Sequence, residues 1–173
     1  MERVRVLGLA VAALLLAAGC ASTPRSPAAQ PTGTTPYPPG ATVPAAPACR
    51  FPDHIYRPSR LKLLGCRTVT GRVTAVRSEP DGDYHARLAL DPPYAGLLTA
   101  ANVRYQAGTL VVEEPCQHAV TQDSAEQACA GYRSPWPRLT VGRRYRLTGN
   151  YVLDREHHDW AELHGLAEVT VLS

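Results

Sequence analysis

Thirteen consecutive uncharged residues, 6–18, built mostly of Leu, Val and Ala, follow a short start in which Arg3 and Arg5 outweigh Glu2. That pattern is a secretory signal segment. It is too short to span a hydrocarbon layer, which takes about 20 apolar residues. Whatever follows is therefore expected to fold outside the cytoplasm. There thiols oxidise, and a small domain is stapled by disulfides rather than held by core size alone.

The apolar run ends in Leu16-Ala17-Ala18-Gly19-Cys20, which resembles the lipobox of bacterial lipoproteins. It departs from that pattern in having Ala17 three places before the cysteine, with Leu16 one place earlier. The resemblance implies cleavage after Gly19, a diacylglyceryl group on Cys20 and residence on the extracytoplasmic face of the cell membrane. Two acyl chains hold a protein stably where one does so only marginally, since each buried methylene contributes about 0.8 kcal/mol. Residues 1–19 are thus the expected signal peptide.

Residues 20–48 hold eight of the sixteen prolines and, apart from Arg25, no charge. Lacking apolar bulk, such a stretch is an extended polyproline-like tether, not a core. Residues 49–173 remain, the size of one ordinary domain. They carry fifteen basic and fourteen acidic side chains. This near balance does not favour a phosphate backbone as partner, which demands clustered Lys and Arg.

With Cys20 lipidated, four cysteines remain: Cys49, Cys66, Cys116 and Cys129. An even number in an exported chain reads as two disulfides. Of three possible connectivities, the local pairs Cys49–Cys66 and Cys116–Cys129 are expected. No CxxC pair suggests a zinc site.

Residues 66–77 are β-branched and alternating, with a bend or bulge at Gly71, and the turn-forming Glu79-Pro80-Asp81-Gly82-Asp83 leads into a second alternating run at 84–90. A hairpin follows. Residues 94–103 read as a short helix and 109–113 as a third strand. Asp123 with Glu126 three places on resembles a capping box opening a short helix over 124–130. The last strands are 143–152 and 160–172, the latter with Ala161, Leu163, Ala167, Val169 and Val171 on one apolar face. Three strands, one short helix and two strands make the expected fold mainly β, a five-stranded OB-like Greek-key barrel with two disulfides.

Four stretches, TVTGRV at 68–73, EPDGDYH at 79–85, LVVEEP at 110–115 and HHDWAELH at 157–164, look like a group of bacterial secreted or lipoprotein domains of OB-fold-like type. Those carry a D-G-D-x-H turn and a late H-x-x-W-x-E-[IL]-H-P segment. The resemblance covers nearly all of residues 49–173 and departs at Gly165, where the group has Pro. It implies no activity and carries over no functional residue.

Alternation places His85 with Arg87, and Trp160 with Glu162 and His164, away from the core face, so that together with His157 they form one candidate binding patch on the outside. Imidazole beside carboxylate can hold a metal or move a proton. The simpler reading, preferred on sequence, is that the carboxylate orients a histidine and Trp160 covers the edge, with no metal or cofactor. No G-x-S-x-G, P-loop, H-E-x-x-H or Rossmann glycine pattern occurs. The expected function is that of a non-catalytic binding or adaptor domain for an envelope protein, glycan or oligonucleotide. The alternative is a metal-dependent hydrolase or nuclease-like enzyme built on His85, His157, Glu162 and His164.

Overall fold

A computed structural model describes residues 49–173; the expected signal peptide, Cys20 and the expected Pro-rich tether lie outside the described residues. These residues are mainly β. Five strands, β1 (Leu61–Ser78), β2 (Tyr84–Leu90), β3 (Leu110–Glu114), β4 (Arg144–Asp154) and β5 (Trp160–Leu172), pair in the order β1-β2-β3-β5-β4, and β4 returns to β1 to close the ring. Every pairing is antiparallel except β3 with β5.

β1 begins earlier than the alternation alone suggests because it serves two partners. Its first part pairs with β4 and its last part with β2, and Gly71 faces both Leu90 and Tyr145. The glycine is needed there. A Cβ on Gly71 would lie 2.4 Å from the carbonyl oxygen of Ala89, a backbone atom that cannot swing aside.

Inward-facing side chains from all five strands, including Val69, Leu88, Leu110, Val112, Leu147 and Leu163, form the main core. In β5, Gly165 has φ +77°, and the register against β4 shifts around Gly149. Proline, locked near φ −65°, could not occupy that position. Val171, expected on the apolar face, is 55% exposed.

The helical segments differ from expectation. Residues 94–103 are a 3-10 turn, Pro92–Leu97, followed by α1 (Ala100–Tyr105). Thr99 separates them: it adopts extended backbone and caps α1, accepting from the Asn102 amide while the Asn102 side chain accepts from the Thr99 amide. The capping box expected at Asp123 and Glu126 does not form. There the chain makes a 3-10 turn, Asp123–Ala125, running into α2 (Glu126–Cys129), with Gln122 at the turn's N-cap and no side-chain cap. A short α-helix therefore stands within or beside each of the two stretches expected to be helical, each shorter than expected.

The disulfides are Cys49–Cys66, with Cα atoms 5.4 Å apart, and Cys116–Cys129, at 5.5 Å. The first ties the segment preceding β1 to that strand, and the second closes the loop after β3. No helix among the described residues is long and apolar enough to cross a membrane.

Candidate functional site

Strand register assembles a row of polar side chains on the outer face of the ring. Arg77 on β1 pairs with His85 on β2, His85 with Glu113 on β3, and Glu113 with His164 on β5. Directly opposed residues hold their Cβ atoms about 5 Å apart, so these four are neighbours through pairing alone. One position further along β5 on the same face, Glu162 stands opposite Val111.

That outer face is covered, which corrects the expectation that His85, Trp160, Glu162 and His164 point into solvent. Glu162 and His164 are completely buried, and His85 and Trp160 are each 7% exposed. On one side α1 closes over Trp160 and Val111 through Ala101. Asn102 fixes it there, donating to the carbonyls of Thr109 and Ala161 and accepting from the amide of Ala161. On the other side the disulfide-tied segment before β1 brings in Arg60. Its guanidinium donates to Glu113 Oε1 at 2.7 Å and to Asp154 Oδ2 at 3.0 Å. Alternation identified the face, but it could not show that the chain folds back over it.

Within this layer, Glu162 takes Trp160 Nε1–H on Oε2 at 2.9 Å and faces His164 Nδ1 with Oε1 at 2.9 Å. His85 Nδ1 lies 3.1 Å from Glu79 Oε1 and 3.1 Å from an Arg77 nitrogen. Its Nε2 is 3.8 Å from Glu113 Oε2. Asp83 accepts the Cys116 amide on Oδ1. Four buried side-chain atoms among the described residues have no hydrogen-bond partner: Arg60 Nε, Asp83 Oδ2, His85 Nε2 and His164 Nε2.

The electrostatics follow from burial and neighbours. Burial opposes ionisation of Glu113, but His164, Arg60 and His85 outweigh it and hold the carboxyl down at about 2. Burial likewise opposes charge on His164, yet Glu113 and Glu162 overcome it and push the imidazole up to about 9. At Asp83 burial, reinforced by the Glu113 and Asp81 charges, outweighs the Cys116 amide and the His164 charge and pushes the carboxyl up to about 8.

A cleft of about 180 Å³ opens onto the row, lined by Arg60, Arg77, Glu79, His85, Glu113 and Trp160 with Pro80, Asp81, Gln122 and His157 at its edges. His157 stacks on Trp160, ring centroids 4.3 Å apart, and its Nδ1 meets Asp154 Oδ2 at 2.8 Å. Arg87 stands apart, bonded to Gln106 Oε1 beside a neighbouring depression. Sequence reasoning did not single out Arg60, Glu79, Asp83, Glu113 or Asp154. A signal existed for Glu113: two adjacent acids end the apolar strand LVVEE, so one of them had to share a face with Val111. Arg60 left none, because its role depends on a contact 53 residues distant.

No protein-family model matches this chain, and no curated protein is significantly similar to it.

Proposed function

We propose that this chain is a lipid-anchored lipoprotein of the cell envelope, held by Cys20 on the extracytoplasmic face, whose folded part is an OB-like Greek-key barrel that binds an envelope glycan or protein without transforming it. The strand order, with β3 and β5 parallel in a ring of five, supports the OB-like reading. The observation that carries the binding reading is the cleft over the polar row. It combines a stacked His157–Trp160 pair with groups of both charges, Arg77 and Glu79, at its mouth. Mixed charge suits a polar ligand of low net charge better than a nucleic acid strand. Glu113, the carboxylate at the cleft floor, is held so far below neutral pH that it is a poor proton acceptor, which favours binding over general base chemistry.

The test is site-directed photo-crosslinking in intact cells, with the reactive residue at position 157 or, as control, at position 72, which lines a separate depression. Position 157 is expected to give one discrete glycan or protein adduct in the membrane fraction, absent at position 72. Equal labelling at both positions, or adducts found only in the soluble fraction, would overturn the reading.

A further inference from the structure

His85 Nε2 and Glu113 Oε2 face each other inside the protein. Their separation of 3.8 Å exceeds a hydrogen bond. In both tautomers of His85, Nε2 is unpartnered. In the one whose Nδ1 accepts from Arg77, Nε2–H faces that oxygen beyond hydrogen-bond reach; in the one whose Nδ1 donates its proton to Glu79, Nε2 presents a lone pair toward the carboxylate oxygen, so two acceptors confront each other. Such a pair is satisfied by a cation. Metal–nitrogen and metal–oxygen bonds of roughly 2.0–2.2 Å hold the donor atoms of one ion about 3.3–4.2 Å apart, and the observed gap lies in that range. A donor atom from each of His85, Glu113 and Glu162 lies within 4.8 Å of the others.

We propose that His85 Nε2, Glu113 Oε2 and a carboxylate oxygen of Glu162 hold one divalent transition-metal ion of the Zn²⁺ or Mn²⁺ class, with a coordination position open to the cleft.

The surrounding groups are arranged as outer partners of metal ligands are. A ligating imidazole commonly gives its other nitrogen to a carboxylate, and Glu79 stands in that place for His85. A ligating carboxylate is itself oriented by donors, and Trp160 Nε1 and His164 Nδ1 orient Glu162. Arg60 engages Glu113 through Oε1 only and leaves Oε2 to the site. Six carboxylates, Glu79, Asp81, Asp83, Glu113, Asp154 and Glu162, gather around three cationic groups, Arg60, Arg77 and His164, so the locality has room for positive charge. One imidazole with two carboxylates suits Zn²⁺ or Mn²⁺ rather than a thiolate-seeking ion. A second trio, Asp83, Glu113 and His164, offers donors equally close. Only Glu113 among them lines the cleft, whereas both His85 and Glu113 of the first trio do. The proposal stands apart from the envelope-ligand reading, since ion content and adduct formation are read separately.

The experiment uses the untagged full chain extracted from membranes without chelator. Elemental analysis is expected to find close to one Zn²⁺ or Mn²⁺ per chain. After stripping, titration with the same ion should restore it. His85→Gln and Glu113→Gln should weaken the ion at least about 10–100-fold, the loss that even outer-shell changes bring. Asp83→Asn should leave affinity unchanged, which separates this trio from the second one. Should His85→Gln fail to fold, pulsed electron paramagnetic resonance of the Mn²⁺-loaded unaltered chain should detect one coupled imidazole nitrogen. Failure of the unaltered chain to bind either ion, an unchanged affinity in folded His85→Gln, or a signal from no imidazole or from two would overturn the proposal.

Discussion

Arg60 Nη2 donates to Glu113 Oε1 at 2.7 Å, with both side chains 7% exposed, and so joins the segment before β1 to the middle of the sheet. Removing one partner of a buried ion pair strands the other charge, at a cost of about 3–5 kcal/mol. Arg60→Met is expected to lower unfolding free energy by that amount in a urea titration. Arg60→Met combined with Glu113→Gln should recover part of it, because the uncompensated carboxylate is gone. Equal loss in the single and double variants would show that the pair does not hold this segment.

The two disulfides close loops spanning 17 and 13 residues in a domain with one modest core. Each is expected to contribute about 2–4 kcal/mol. Non-reducing peptide mapping of exported protein should recover Cys49–Cys66 and Cys116–Cys129. Cys129→Ser paired with Cys116→Ser should lower the melting temperature without abolishing the sheet signal in circular dichroism. Crossed peptides, or an unchanged melting temperature, would contradict this arrangement.

Asn102 is completely buried and takes the place of a strand neighbour where the β3–β5 pairing stops, bonding both the amide and the carbonyl of Ala161. Asn102→Ala leaves those groups and the Thr109 carbonyl without partners. Each buried unsatisfied group costs about 1–3 kcal/mol. A loss of about 3 kcal/mol is expected, with faster hydrogen exchange at the Ala161 amide. Retained protection there would mean that α1 is held by other contacts.

Three buried groups give metal-free protein an acid-shifted stability optimum. Glu113, lowered from 4.5 to about 2, contributes stability that is present above pH 4.5 and lost as pH falls toward 2. His164, raised from 6.5 to about 9, contributes stability that is full below pH 6.5 and lost as pH rises through 9. Asp83, raised from 3.8 to about 8, favours the fold when protonated, and that preference fades as pH climbs from 3.8 to 8. Melting temperature measured in chelator should therefore peak near pH 5 and fall toward pH 9. Asp83→Asn, which keeps an acceptor for the Cys116 amide, should flatten part of the fall. A melting temperature that rises from pH 5 to 9 would contradict these shifts.

Local chemistry made several features legible in the sequence. β-branched alternation marked five strands, the turn at Glu79–Asp83 joined the first two, and close cysteine spacing favoured the two local disulfides. The period-two rule also put His85, Trp160, Glu162 and His164 on the face opposite the core, because side-chain direction in a strand is a property of neighbouring residues. Tertiary structure decided that this face is an interior. Whether a face meets water depends on what folds across it, and α1 and the Arg60 segment do so through contacts made by Asn102 and Arg60 with residues more than 50 positions away. The same holds for the row from Arg77 to His164. It exists because four strands align in one register, and register is set by pairing across the whole ring, which no single stretch of chain encodes.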